Sequence, residues 1–219
     1  LSVFIKICGV TNEDDALLAV AMGADAVGFV FAPSSRQIAP QKVYDITRRL
    51  PPETLTVGVF RDEHPSRVVE ICQKAGVKAA QLHGHESPEV VANVRKHVHH
   101  VIKAVAAGSV DASRATSFHT DMVLVDAPSP GGGMVFDWTL LADMPEVRRL
   151  IVAGGLNAEN VARAIEVTQP WGVDVSSGVE SEPGRKDPVA MRRFIEAARA
   201  VVFPRHDARD ASPYDWYDE

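Results

Sequence analysis

Two cysteines, Cys8 and Cys72, are too few among 219 residues for a disulfide framework. With both thiols free, cytoplasmic residence is expected. Long apolar runs are missing as well. No stretch approaches the ~20 residues that a membrane helix needs, and residues 1–10 carry neither the charged nor the apolar region of a signal peptide. Positive charge is scarce: 23 Lys and Arg against 29 Asp and Glu give a net charge of −6. Such a chain is poorly matched to nucleic acid or to an anionic membrane, so neither is expected as a partner. An anionic ligand would have to be held by local features rather than by the field of the whole chain. Metal-ligand clusters are also lacking. His97, His99 and His100 fall at the N-terminal end of a strand, and His83 and His85 have no evident third ligand, so no metal is expected. The run Gly131-Gly132-Gly133 is not followed by Lys-Ser or Lys-Thr and is no phosphate-binding P-loop. It reads as a connector or a loop above a site.

What the chain does have is alternation. Short apolar runs at residues 3–7, 26–31, 55–60, 79–82, 100–104, 122–125, 150–152 and 173–175 read as strands. Helical segments follow at 11–22, 40–49, 65–76, 88–96, 110–117, from 138 onward, 158–168 and 188–202. Thr11 or Asn12 can cap the first of these, Gly23 closes it, and Pro65 suits a first helical turn. Short continuous apolar runs are the mark of parallel strands buried on both faces. Eight βα units predict an α/β fold of the (β/α)8 TIM-barrel type, one domain over residues 1–203. An open doubly wound sheet would alternate in the same way; the count of eight favours the closed form. Residues 204–219 lie outside the pattern. Their five acidic residues against Arg205 and Arg209 predict a solvated, partly disordered tail, although Tyr214, Trp216 and Tyr217 could dock on the barrel or on a neighbour.

Two loops carry the strongest functional signal. Gly154-Gly155 follows the seventh strand and Ser177-Gly178 the eighth, each ahead of an expected helix. Glycine lets the backbone approach a ligand and turn N–H groups toward it, and a helix N-terminus adds partial positive charge. Loops after the last two strands are where (β/α)8 barrels commonly hold a phosphate. The other strand ends supply chemistry. Cys8 ends the first strand and Asp126 follows the sixth. A thiolate can accept a proton and a carboxylic acid can donate one. Cys8 could instead be a packed core residue, and Asp126 a turn residue; their places at strand ends favour function. Arg36 follows Pro33-Ser34-Ser35 at the mouth and can grip a carboxylate by two parallel hydrogen bonds, or stand as a solvated loop cation. His83 and Asp174, at the ends of the fourth and eighth strands, complete the candidate binding set. Lys6 and Lys103 offer a different chemistry, that of Schiff-base lysines. Alternation puts Lys6 on the same side of its strand as Cys8. Cys72, on the apolar side of a helix, reads as a small buried hydrophobe.

Lys6-Ile7-Cys8-Gly9-Val10-Thr11-Asn12, Asp25-Ala26-Val27-Gly28-Phe29-Val30-Phe31, Gln81-Leu82-His83-Gly84, Phe136-Asp137-Trp138, Gly154-Gly155-Leu156-Asn157-Ala158-Glu159-Asn160-Val161 and Asp174-Val175-Ser176-Ser177-Gly178-Val179-Glu180 occur in this order. As a set they resemble the phosphoribosylanthranilate isomerases of tryptophan biosynthesis, over about residues 3–202. The resemblance implies a cofactor-free Amadori rearrangement of a phosphoribosylated anthranilate. In it Asp126 acts as acid, Cys8 as base, Arg36 pairs with the anthranilate carboxylate, and the Gly154-Gly155 and Ser177-Gly178 loops hold the phosphate. The implied partner is this small molecule, and the assembly is a monomer or a homodimer. The sequence departs from the family pattern at Ala127, where threonine is common, at Gln37, and at Gly133-Met134-Val135. A related histidine-pathway aminoaldose isomerase resembles this chain too but carries aspartate where Cys8 stands. A lysine-dependent aldolase and a non-catalytic sugar-phosphate-binding barrel are the remaining readings.

Overall fold

Eight parallel strands close on themselves in chain order, each paired with its sequence neighbours and β8 returning to β1. The strands are β1 (Phe4–Ile7), β2 (Ala26–Val30), β3 (Leu55–Phe60), β4 (Ala79–Leu82), β5 (His100–Ala106), β6 (Met122–Asp126), β7 (Leu150–Val152) and β8 (Gly172–Val175). The computed structural model describes residues 2–128 and 137–202. The glycine run at 131–133 and the acidic tail at 204–219 lie outside the described residues.

Strand geometry sends successive side chains to opposite faces. One face of the barrel strands packs inward: Phe4, Ala26, Leu55, Val57, Ala79, Ile102, Ala104, Met122, Leu124 and Ile151 form a single buried cluster with Trp171. The other face, with Ile5, Ile7, Val27, Phe29, Ala80, Leu82, Val101, Val123, Val125, Val152 and Val173, packs under the helices. The interior is therefore a filled core. At its floor Phe4 stacks on Trp171, with ring centroids 4.3 Å apart and planes at 25°. The missing side chain of Gly172 makes the room, since a Cβ there would lie 2.9 Å from the Phe4 ring.

The helices begin where their sequences say they should. In α1 (Glu13–Ala21) the Asn12 side chain accepts from the Asp15 N–H and donates to the Asp15 carboxylate, a reciprocal cap. Proline opens α2 (Pro40–Thr47), α3 (Pro65–Ala75) and α4 (Pro88–Arg95), and Gly76 ends α3 in the left-handed conformation. The last helix, α7 (Pro188–Ala200), is capped by Asp187. Its Arg199 clasps the bottom of the barrel, donating to Asp25, to the Gly23 carbonyl and to the Val3 carbonyl.

Three expected helices are shorter than their sequences suggest. The segment after β5 is one turn, α5 (Val110–Ser113), followed by a 3-10 turn at Ala115–Phe118. Trp138 opens only a 3-10 turn, Trp138–Leu141. The helix after β7, α6 (Val161–Thr168), begins late because Asn157 and Asn160 first fold their side chains onto the turn that precedes it. A further element was not expected. After a 3-10 turn at Ser177–Val179, β9 (Glu180–Glu182) and β10 (Arg185–Lys186) form a small hairpin before α7. It is anchored on α1 through Lys186 N–H to Asp15, and on the residues before α1 through the Thr11 hydroxyl to the Gly184 carbonyl.

Because Phe4 is fully buried and stacked, Phe4→Ala should lower unfolding stability by about 3–5 kcal/mol in a urea titration. The mouth of the barrel lies at the other end of the strands, so its ligand affinity should change little. A loss under ~1 kcal/mol would mean that the floor collapses to refill the space.

Candidate functional site

The inward face of the strands that builds the core below also builds a pocket above it. On β1 the inward series Phe4, Lys6 continues to Cys8; on β6 Met122 and Leu124 continue to Asp126; on β4 Ala79 and Gln81 continue to His83. Cys8, Arg36, His83, Asp126, Gly154, Gly155, Asp174 and Ser177 all line this pocket at the C-terminal mouth. Of the residues expected from sequence, only Gly178 stands back from the wall. Its place is fixed by packing: a Cβ there would lie 1.9 Å from the Leu156 carbonyl oxygen. Glycine at 178 lets the loops after β7 and β8 touch.

Asp126 is held from two sides. One carboxyl oxygen accepts the Ala127 N–H at 2.8 Å, and the other lies 3.3 Å from Nε2 of His83. The Gly154 backbone abuts it, and a Cβ at 154 would lie 2.6 Å from the Ala127 nitrogen. Gly154 and Gly155 both adopt positive φ, 85° and 64°, where a side chain would be strained. Among the described residues, the N–H groups of Gly155, Ser177 and Gly178 donate no hydrogen bond. Free backbone N–H groups gathered in this way are able to receive an anion. The expected helix behind the β8 loop is only the 3-10 turn at Ser177–Val179, so the backbone donors, rather than a long helix dipole, supply the positive character there.

Two buried ion pairs underlie the wall around Cys8. Lys6 Nζ bonds Asp174 at 2.7 Å with the lysine side chain 0% exposed. Lys186 Nζ bonds Glu180 at 2.9 Å and the Ser176 carbonyl at 3.1 Å. Burial pushes the Cys8 thiol up, and the Asp174 charge adds to that; the Lys6 ammonium, and more weakly Lys186, pull it back down. For Lys6, burial works against the charge, but Asp174 and Cys8 outweigh it and hold the ammonium above the ordinary lysine value. Lys186 goes the other way: burial lowers it despite Glu180. Glu180 stays below the usual carboxylate range because the bonds from Arg36 and Lys186 outweigh its burial.

Arg36 reaches the pocket as expected, but with a partner already in place. Its Nε and Nη2 bond the two oxygens of Glu180 at 2.8 and 2.7 Å. One edge of the guanidinium is thus fixed by the protein, and the end-on edge, Nη1 with Nη2, is what it can offer a ligand carboxylate. Glu180, Lys186 and Gln81 were not singled out from sequence. Glu180 lies within a quoted motif but acquires its role only when the β9–β10 hairpin folds back on the mouth, for which the sequence gives no signal.

The lysine alternative fails on placement. Lys103 alternates away from the inward residues Ile102 and Ala104, and points under the helices. It bonds Glu86 at 2.7 Å and the carbonyls of Leu82 and Gly84, with Phe118 beneath it at 5.6 Å. Lys6 lies below the pocket wall in its pair with Asp174. A Schiff-base lysine needs a free amine facing substrate, and neither residue is so placed. Among the described residues no cluster of three or more His, Cys, Asp or Glu could hold a metal. Cys72 is buried, and burial alone raises its thiol to about 12.

The Cys8 environment sets a titration. Thiolate fraction rises with pH, so a raised value means that alkylation of Cys8 by iodoacetamide should reach half its maximal rate above the ordinary thiol value. Lys6→Met removes the largest opposing influence and leaves Asp174 unpaired, so the midpoint should move further up. In Lys6→Met/Asp174→Asn, with no charge left alone, it should rise less. A downward move in either variant would contradict this account of the pocket's electrostatics.

Comparison with known proteins agrees with this geometry. The family model described as N-(5'phosphoribosyl)anthranilate (PRA) isomerase matches residues 5–197. The N-(5'-phosphoribosyl)anthranilate isomerase of Desulforudis audaxviator is 48% identical over 205 residues, covering 90% of this chain and 98% of its own. A solved phosphoribosyl anthranilate isomerase in complex with reduced 1-(o-carboxyphenylamino)-1-deoxyribulose 5-phosphate superposes with a TM-score of 0.81 at 41% identity, covering 91% of this chain and 100% of that one. The dimeric enzyme of Thermotoga maritima, solved as monomers, gives 0.80 at 40% identity with the same coverage. The chain belongs to the N-(5'-phosphoribosyl)anthranilate isomerase family.

Proposed function

We propose that this chain converts N-(5-phosphoribosyl)anthranilate to 1-(2-carboxyphenylamino)-1-deoxyribulose 5-phosphate, an aldose–ketose isomerisation of tryptophan biosynthesis. The observation that carries the reading is that Cys8 and Asp126, from β1 and β6, line one pocket whose other walls hold the Gly154-Gly155 cradle and Arg36. A substrate with a phosphate at one end and a carboxylate at the other matches such a pocket. The phosphate lies on the N–H groups of Gly155, Ser177 and Gly178, with the anthranilate carboxylate on the free edge of Arg36. His83 and Asp174 border the ribose between them.

The reaction needs one proton delivered and one removed. Asp126 protonates the ribose ring oxygen; the C1–O bond breaks, and the nitrogen lone pair forms the C1=N bond of a Schiff base. Cys8 as thiolate takes the C2 proton, and the C2–H electrons move to neutralise that nitrogen, giving an enolamine. Tautomerisation then moves the C2 hydroxyl proton off and a proton onto C1, leaving a ketone at C2 with no net change in atoms. Burial disfavours the thiolate, and the buried Lys6 ammonium offsets this where the base must ionise. Cys8 also weighs against the histidine-pathway reading, which resembles this fold but places aspartate at that position. The assembly is a monomer or a homodimer on this proposal, with the dimeric Thermotoga maritima relative as precedent for the second. Cytoplasmic residence is part of the same proposal and rests on the biosynthetic role.

Substrate consumption can be followed by the fluorescence of the anthranilate group. The wild-type protein should turn over without added cofactor. Cys8→Ser and Asp126→Asn should each lose roughly 100-fold or more in turnover, the share that positioned acid–base groups contribute. Both should stay folded and still bind inorganic phosphate. Turnover near wild type in either variant would remove that residue from its role.

A further inference from the structure

Gln81 is a buried amide at the base of the same pocket. It sits on the inward face of β4, only 1% exposed, two residues below His83. Its Nε2 lies 2.9 Å from Nδ1 of His83. Its Oε1 is buried without a hydrogen-bond partner among the described residues. A buried carbonyl oxygen left without a partner is costly and calls for an explanation. The explanation lies in what the other end of the amide does.

An amide NH2 can only donate. Facing Nδ1, it requires that nitrogen to carry a lone pair, so the ring's proton sits on Nε2. Nε2 is the atom 3.3 Å from the Asp126 carboxylate. The proton on Nε2 then faces one Asp126 oxygen at 3.3 Å, while the Ala127 N–H donates to the other. With an N–H turned toward each oxygen, the carboxyl's own proton is left to point into the pocket. The reverse amide orientation would satisfy Oε1 with a proton on Nδ1 and turn Nε2 into an acceptor. Two acceptors would then face each other unless Asp126 turned its own proton toward the ring, away from a substrate.

We propose that Gln81 is a positioning residue that fixes His83 as the neutral Nε2–H tautomer and so keeps the acid's proton on Asp126 and aimed at the substrate. This deepens the isomerase reading and rests on Asp126 being its acid. The tautomer itself can be measured without substrate. The other ionisable groups around the pocket, Cys8, Arg36, Arg61 and Asp174 on its wall and the Lys103–Glu86 pair behind it, are unchanged by substitution at 81.

The test is nitrogen NMR of the folded protein labelled with 15N-histidine at neutral pH, with the His83 signals identified by their loss in His83→Asn. Wild type should show a neutral ring protonated at Nε2 and bare at Nδ1. Gln81→Glu, whose carboxylate accepts from Nδ1, should move a proton to Nδ1; Gln81→Met should give a mixture. Turnover in both variants should fall on the order of tenfold or more, as when an outer residue that orients a site is lost, with KM changed less than turnover. A wild-type ring protonated at Nδ1, or a tautomer indifferent to both substitutions, would overturn the proposal. If wild type fails to turn over the substrate, the isomerase reading falls, while the tautomer still reports whether Gln81 controls His83.

Discussion

Closure of eight parallel strands into a filled barrel allows each strand one inward series of side chains, and only the upper members of each reach the mouth. That constraint selects the site. Phe4, Lys6 and Cys8 form one such series: the first packs the floor, the second is buried in an ion pair, and the third meets the pocket. Ala79, Gln81 and His83 form another, Met122, Leu124 and Asp126 a third. The same rule turns Lys103 outward under the helices, next to inward Ile102 and Ala104. A chemistry-bearing residue one position along the strand is a structural residue.

The buried cations around the mouth are paired. Lys6 pairs with Asp174, Lys103 with Glu86, and Arg36 and Lys186 share Glu180. Charges so deeply placed are tolerable only when paired and hydrogen-bonded. The consequence for chemistry is that the cations near Cys8 act as fixed fields: they moderate the effect of burial on the thiol rather than touching a ligand themselves. Arg36 is the exception. Glu180 holds one edge of its guanidinium, which orders the side chain in advance and leaves the other edge for recognition. Ordering before binding lowers the entropic cost of the contact.

The backbone cradle follows a different logic. Gly154 and Gly155 are glycine because of their positive φ and the nearness of Asp126, so the turn with free N–H groups also braces the Asp126 carboxyl. Gly178 is glycine because the two loops touch. The free backbone N–H groups, the Asp126 carboxyl and the contact between loops are therefore one unit.

Much of this was written in the sequence. Eight apolar runs with helical segments between them predict the barrel, because parallel strands buried on both faces must be continuously apolar. Proline and Asn caps place the helix starts, and glycine pairs mark the loops over the mouth. Cys8, Asp126, Arg36, His83 and Asp174 are readable as strand-end residues once the barrel is assumed. The tertiary structure decided what depends on contacts between distant segments. It occupied one edge of Arg36 with Glu180, 144 residues away in sequence, and buried Lys6 against Asp174, 168 residues away. It folded residues 180–186 into a hairpin where a direct lead into a helix was expected. It also set Gln81 against His83, a relation hidden in sequence because an amide's role is fixed by which of its two ends finds a partner. Local pattern reports which face a residue takes; the partner it meets there depends on closing the chain.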